Sequence, residues 1–251
     1  MVSGAASGIG RALAYAFARQ GASLVLLDRS HDALQAVAHT LAVVATSVWA
    51  RTCDLSVEAE VAETIAQLKL VHAQVHVLVN NAGVEYPTPL TDSAMDANQR
   101  WAKLLDNNVT SMARLTRALL PYLAQGASII NQSSIWGHTG VADFSAYVAS
   151  KHAVIGLTRA LAWELGPRAI RVNAVCPGWI RTDAAMASLR SMALAQNRSE
   201  ADVEREILSK QALPGMLSPD DIADVYLFLA SDGSRSMTGQ SLAASHGEVM
   251  L

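Results

Sequence analysis

Tyr147 and Lys151 stand four residues apart in the run Tyr147-Val148-Ala149-Ser150-Lys151. On a helix that spacing puts both side chains on one face. A phenol with a pKa near about 10 is a poor base at neutral pH, and a neighbouring ammonium favours its phenolate form. Such a pair can take the proton of an alcohol or return one to a ketone. A Tyr/Lys pair alone is more often a surface coincidence, so its weight depends on the residues around it.

A second group offers a place for a phosphate. Gly4-Ala5-Ala6-Ser7-Gly8-Ile9-Gly10 leads straight into a helical pattern. Glycine lets the backbone turn tightly against a pyrophosphate, while the free N–H groups and dipole of the helix start attract it. The spacing is GxxxGxG rather than GxGxxG, and a plain Gly/Ala-rich turn is the competing reading. Asp28 sharpens the case. It closes the next apolar run, 18 residues after Gly10, where an acid can accept from both hydroxyls of an adenosine ribose. A helix-capping or surface aspartate is the plainer alternative. Arg29 beside it would attract a 2′-phosphate and so argues for NADP. The anionic Asp28 would repel that phosphate, which favours NAD.

These residues need elements to hold them. Strand candidates fall at Leu24–Leu27, Ser47–Arg51, Val75–Val79, Ser128–Asn131, Arg171–Val175 and Gln240–Ala244. Several are continuously apolar, as in strands covered on both faces. Between them lie helical stretches at Ile9–Arg19, Asp32–Leu41, Glu58–Leu70, Asp96–Ala124, Ser145–Leu165 and Pro219–Leu229. Ser30 and Ser56 sit at N-cap positions, and Pro219 suits a first turn. The alternation predicts a single α/β domain over 1–251, with a doubly wound parallel sheet and helices on both faces. Ligands then bind at the carboxyl ends of the strands. Only Met1, Val2 and Ser3 precede the glycine turn, so the first strand is either half lost or begins upstream.

Composition fits that fold and narrows the function. Of 251 residues, 51% are hydrophobic and the net charge is −3, which gives no electrostatic footprint for nucleic acid. No apolar run approaches the roughly 20 residues of a membrane span, and the start lacks a signal-peptide pattern. Two cysteines, Cys53 and Cys176, read as buried thiols of a reducing compartment. A cytoplasmic protein is expected. His72 and His76 straddle a helix-to-strand junction without a third ligand nearby, so no metal site is expected.

Taken together, the glycine turn, Asn80-Asn81-Ala82-Gly83, Tyr147-Val148-Ala149-Ser150-Lys151 and Pro177-Gly178 resemble the short-chain dehydrogenase/reductase family from Ser3 to about Gly239. The resemblance implies a Rossmann-type sheet of about seven strands and a nicotinamide cofactor. It implies that Ser134 hydrogen-bonds the substrate oxygen, the spacing to Tyr147 selecting it over Ser133. It gives Lys151 a second task, holding the nicotinamide ribose. Asn108 would anchor a water of the proton relay through its helix backbone, Asn107 being the close competitor. Asp54 would lie near the adenine, Asn81 would steady the sheet beside the cofactor, and Thr182 of the run Pro177-Gly178-Trp179-Ile180-Arg181-Thr182 would contact the carboxamide. Two departures stand out: Ser3 replaces the usual threonine, and Ser245-His246-Gly247 replaces Asp-Gly-Gly.

The segment 183–215 has no strand pattern and reads as a substrate lid. Ile135, Trp136, Val141, Phe144, Trp179 and Met186 are expected to wall the substrate pocket beside Tyr147. Such walls favour an uncharged secondary alcohol or ketone with an apolar or cyclic body. The run Tyr147–His152 and the run Cys176–Trp179 also resemble 3-hydroxybutyrate dehydrogenases, for which Arg190 or Arg198 would have to pair the carboxylate. An NADPH-dependent ketone or 3-oxoacyl reductase is a further enzymatic reading. A cofactor-sensing regulator is disfavoured by the presence of both Tyr147 and Lys151. The family commonly pairs its long helices, so a homotetramer is expected, with Met112, Leu119, Val154 and Leu161 as candidate contact residues.

Overall fold

Runs such as Leu24–Leu27 and Val172–Cys176 have no polar face, so they are stable only as strands with helices packed above and below. The computed structural model, which describes residues 1–71 and 74–250, places them so. The strands are β1 (Val2–Ser3), β2 (Ser23–Asp28), β3 (Ser47–Thr52), β4 (Val75–Asn80), β5 (Leu123–Gln132), β6 (Arg171–Pro177) and β7 (Ser241–Ala244). They form one sheet in the order β3-β2-β1-β4-β5-β6-β7, with every pairing parallel. The helices are α1 (Gly8–Arg19), α2 (His31–Leu41), α3 (Glu58–Val71), α4 (Ala97–Leu105), α5 (Ser111–Leu119), α6 (Ser145–Leu165), α7 (Asp183–Ala195), α8 (Glu200–Leu208) and α9 (Pro219–Ala230). Leu13, Phe17, Leu34 and Tyr226 bring α1, α2 and α9 onto one face of the sheet. Ile65, Leu115 and Leu165 bring α3, α5 and α6 onto the other. No helix among the described residues is long and apolar enough to cross a membrane.

The strand order reverses between β1 and β4, which opens a crevice at their carboxyl ends. The glycine turn lines it. Gly4 adopts φ +66°, and a Cβ there would meet Ala82 Cα at 2.9 Å. A Cβ on Gly10 would lie 2.0 Å from the Gly4 carbonyl oxygen, so α1 can approach the turn only without one. β1 is two residues long, although Val79 N–H also donates to the Met1 carbonyl at 2.9 Å. Beneath it, Ser23–Val25 of β2 and Val75–Val77 of β4 border a cavity of about 550 Å³.

Two local expectations are corrected. The expected helix Asp96–Ala124 is interrupted by a π-helical turn, Asp106–Thr110, and ends at Leu119. Pro121 sits in the short 3₁₀ turn that follows, where it cannot continue an α-helix, and Leu123 and Ala124 already belong to β5. Ser56 does not cap α3: its backbone N–H and its hydroxyl both donate to Asp54 Oδ1, at 2.9 and 2.7 Å. Pro219 does open α9, behind a capping box of Ser218 and Asp221. His72 lies outside the described residues.

Buried amides tie the site-bearing ends of the strands together. Asn80 Nδ2 donates to Asn131 Oδ1 at 2.9 Å and to Thr116 Oγ1 at 3.0 Å. Asn131 Nδ2 donates to Thr158 Oγ1 at 3.0 Å. The chain of bonds joins β4, β5, α5 and α6 where water cannot substitute. Asn131→Ala is expected to lower unfolding stability by about 2–4 kcal/mol, because two buried partners lose a bond each. Exposed Thr40→Ala should cost less than about 0.5 kcal/mol. Chemical denaturation of the two variants checks this.

Candidate active site

The crevice is a groove of about 310 Å³ lined by Gly4, Ser7, Gly8, Ile9, Asp28, Arg29, Asp54, Asn81 and Thr182, with further residues. The first turn of α1 contributes unpaired N–H groups, since the Ser7 side chain makes no capping bond. Asp28 ends β2. Its Oδ2 accepts from Ala6 N–H at 3.0 Å and its Oδ1 from Ser30 N–H at 2.9 Å. These bonds fix the carboxylate and leave lone pairs for further donors. Burial pushes the Asp54 carboxyl up, but the Ser56 bonds and the charges of Arg29 and Lys103 outweigh it and hold the pKa below the usual value. Asn81 secures the turn itself: its Nδ2 donates to the Ser3 and Gly4 carbonyls at 3.0 and 3.1 Å. The Ser3 hydroxyl accepts from Asn81 and Ala82 N–H and donates to the Val79 carbonyl, so serine supplies the oxygen needed there.

A second pocket of about 190 Å³ continues the groove, sharing Ile9, Asn81, Gly83, Val84, Gln132, Thr182 and Ala184 with it. Ser134, Trp136, Tyr147, Lys151, Pro177, Gly178, Trp179 and Ile180 line it as well. Ser134 follows β5 and caps a 3₁₀ turn, Ile135–Gly137, its oxygen accepting from Trp136 N–H at 3.2 Å. Its hydroxyl also faces Tyr147, whose pKa it pulls down. Tyr147 and Lys151 project from the first turns of α6, with Lys151 Nζ 5.3 Å from the phenol ring centre. Lys151 is buried and donates to the Gln132 carbonyl at 3.1 Å.

The polypeptide's own groups do not lower the phenol pKa. Burial raises the Tyr147 pKa, the Glu85 charge raises it further, and the nearby Ser134 hydroxyl offsets part of this. Desolvation lowers Lys151 to about 8, against the opposing influence of Glu85. The polypeptide by itself thus keeps Tyr147 a neutral phenol that holds its proton.

Asn108 lies in the π-helical turn and is buried. Its Oδ1 accepts from Val84 N–H at 2.7 Å, and its Nδ2 donates to the Val84 carbonyl and Ser150 Oγ. The side chain is fully engaged, which leaves the backbone of the distorted turn for any other task. Asn107 instead bonds back to the Lys103 carbonyl at 2.7 Å. Trp136 anchors the aromatic wall, with ring centres 5.5 Å from Phe144, 5.9 Å from Tyr147 and 6.2 Å from Trp179. Phe144 packs behind Trp136 and does not line the pocket; Val141 does not line it either. The segment 183–215 carries α7 and α8, whose Leu189, Ala193, Val203 and Ile207 bury against Trp179. Met186 joins that cluster rather than the pocket lining. Thr182 caps α7, its hydroxyl accepting from Ala185 N–H at 3.1 Å.

Two residues escaped the sequence reading. The Gln132 carbonyl, which holds Lys151, carries no side-chain signal. Glu85 lies two residues beyond the Asn80–Gly83 motif and lines the second pocket; its place at the carboxyl end of a central strand was the available clue. Ser245-His246-Gly247 turns against this region: Ser245 packs on Gly178, and the His246 carbonyl accepts from Ala212 and Leu213 N–H. Cys53 and Cys176 are free, buried thiols.

Comparisons with known proteins agree with this geometry. The family model described as Enoyl-(Acyl carrier protein) reductase matches residues 4–248. The chain is 34% identical to a 3-oxoacyl-[acyl-carrier-protein] reductase of Pseudomonas aeruginosa, covering 100% of this chain and 96% of the relative. It is 31% identical to the D-beta-hydroxybutyrate dehydrogenase of Cupriavidus necator, over 95% of this chain and 93% of the relative. A short-chain dehydrogenase/reductase from Brucella melitensis superposes with a TM-score of 0.88 at 28% identity, covering 99% of this chain and 95% of that one. A family model matched over residues 4–248, and relatives above 30% identity along almost the whole length of a seven-stranded parallel-sheet chain, mean that the chain belongs to the short-chain dehydrogenase/reductase family.

Proposed function

We propose that the protein is an NAD-dependent dehydrogenase/reductase that interconverts a secondary alcohol and its ketone. The observation that carries this reading is the convergence of Ser134, Tyr147 and Lys151 on one pocket continuous with the glycine-turn groove. The donor set fits a dinucleotide. N–H groups at the start of α1 suit a pyrophosphate, and the fixed Asp28 carboxylate suits two ribose hydroxyls. Asp54 borders the adenine end, while Asn81, Pro177, Gly178, Ile180 and Thr182 border the nicotinamide end.

When bound, the nicotinamide accepts or supplies a hydride; the chain supplies the rest. Ser134 O–H donates to the substrate oxygen and polarises it. Tyr147 Oη passes its proton to that oxygen in reduction and takes it back in oxidation. Lys151 keeps positive charge beside the phenol and donates to the ribose hydroxyls. The backbone of Asn108 anchors a water that connects Lys151 to solvent. The helices α7 and α8 serve as the lid that closes over the substrate.

An uncharged substrate is favoured over a 3-hydroxy acid. Arg198 is engaged by Glu206 and Gln196, and Arg190 is not among the residues lining the pocket. NADP is the second reading, supported by Arg29 in the groove wall. Two buried free thiols fit a reducing, cytoplasmic setting. Of the contact residues expected for a homotetramer, Leu161 is half-buried. Met112, Leu119 and Val154 are core, whereas Trp163 on α6 is 87% exposed beside His138, Arg159 and Thr238–Ser241 and offers an unpartnered surface for a second copy.

Two variants test the central assignments. Tyr147→Phe should fold and bind NADH while losing about 10²–10⁴-fold in kcat; substantial residual turnover would mean that the proton travels elsewhere. Asp28→Ala should cut the preference for NAD over NADP by about ten- to a hundredfold, through lost charge-assisted bonds and lost repulsion. Steady-state kinetics with both cofactors reads this out, and equal kcat/KM for the two in the unaltered protein would refute the choice of NAD.

A further inference from the structure

The reaction described above has no use for Glu85, yet its carboxylate belongs to the substrate side of the cleft. It lines the pocket with Ser134, Trp136, Tyr147, Lys151 and Trp179. Ser188 of α7 donates to Glu85 Oε1 at 3.1 Å, which ties the lid to the loop after β4 and fixes the carboxylate. Among the described residues no protein donor reaches Oε2, and Glu85 is exposed in the open cleft, so a bound molecule can take the place of water there. Desolvation by the surrounding protein raises the Glu85 pKa, while the Ser188 bond and the Lys151 charge pull it back. In either protonation state the group offers an acceptor oxygen to whatever occupies the pocket. The pocket it shares with Ser134 and Tyr147 measures only about 190 Å³, so a molecule held at those two hydroxyls also meets Glu85.

The chemistry of the occupant follows from which donor can replace water at that oxygen without an electrostatic penalty. An anionic substrate would meet like charge at Glu85, with no pocket-lining cation but the buried Lys151 to offset it. A cationic substrate would bring a second positive charge beside the Lys151 ammonium. A hydroxyl is a neutral donor and carries neither penalty. The aromatic rings of Trp136 and Trp179 provide flat apolar surface for the carbon skeleton of such a molecule. Building on the reading of this site as an alcohol–ketone oxidoreductase, we propose that Glu85 is a specificity-determining residue that accepts a hydrogen bond from a second substrate hydroxyl next to the reacting carbon. The substrate class is then vicinal diols and polyols, oxidised to hydroxyketones, rather than monohydric alcohols or hydroxy acids.

The experiment compares cyclohexane-1,2-diol with cyclohexanol, using the unaltered enzyme, Glu85→Leu, Glu85→Gln and Ser188→Ala. Turnover is measured with NAD, and binding of each alcohol to the enzyme–NADH complex by quenching of cofactor fluorescence. The unaltered enzyme should favour the diol by about tenfold or more in kcat/KM, the scale of one hydrogen bond to a charged acceptor. Glu85→Leu should erase that ratio. Glu85→Gln should restore part of it, and Ser188→Ala, which frees the lid but keeps the carboxylate, should retain most of it. Equal kcat/KM for the two alcohols in the unaltered enzyme, or an equal loss for both in Glu85→Leu, would overturn the proposal. Binding separates the two levels of the argument. Diol binding that depends on Glu85 without any turnover would refute the oxidoreductase reading, and diol oxidation with it, while sustaining Glu85 as the acceptor of a diol hydroxyl. Turnover of both alcohols with diol binding indifferent to Glu85→Leu would do the reverse.

Discussion

A buried ammonium organises this molecule. Lys151 is 4% exposed, and such a charge is tolerated in a protein interior only with hydrogen-bonding partners. The Gln132 carbonyl at the end of β5 supplies one, and desolvation still brings the lysine down to about 8. Holding Nζ at that carbonyl requires α6 to lie close against the strand ends. Ser133 Oγ donates to the Lys151 carbonyl at 2.8 Å, and Gly137 passes so near that a Cβ there would lie 2.8 Å from the same oxygen. The Asn80–Asn131–Thr158 bonds keep β4, β5 and α6 in one arrangement beneath it. The phenol, the serine and the glycine-turn groove inherit their positions from this anchoring.

Much of this was legible in the residues. Continuously apolar runs marked the strands because both faces of a parallel sheet are covered, and α6 matches its expected span, Ser145–Leu165. Motifs whose function depends on local spacing, such as Tyr147 and Lys151 on one helix face, were equally clear. What escaped depended on tertiary context. The π-helical turn at Asp106–Thr110 has no periodicity of its own in the sequence; it accompanies the bonds from Asn108 to Val84 and Ser150. Apolar residues at Met112, Leu119 and Val154 looked alike as core or contact surface until burial decided for the core. The raised Tyr147 pKa comes from burial and from Glu85, neither of which the Tyr147/Lys151 spacing reveals.

The substrate side shows a different division of labour. The glycine-turn groove proposed to hold the cofactor is built largely from backbone and from side chains bonded to backbone, such as Asp28 and Asn81, so its chemistry changes little when neighbouring side chains change. The substrate pocket is built from side chains: Trp136, Trp179 and Glu85, with α7 and α8 packed over them through Leu189 and Ile207. Specificity can then shift through a few residues while the proton-transfer apparatus stays in place. A division of this kind lets relatives named for acyl-carrier-protein and hydroxybutyrate chemistry share one fold.

The claim that one buried ammonium serves both the phenol and the cofactor is tested most directly by the pH dependence of NADH affinity. The Lys151 pKa of about 8 means that the charged donor is present below that pH and lost as pH rises through it. NADH binding should therefore weaken across that transition, while Lys151→Met should bind weakly throughout and show no transition. Affinity that stays level from about pH 7 to about pH 10, or an identical transition in Lys151→Met, would contradict the account.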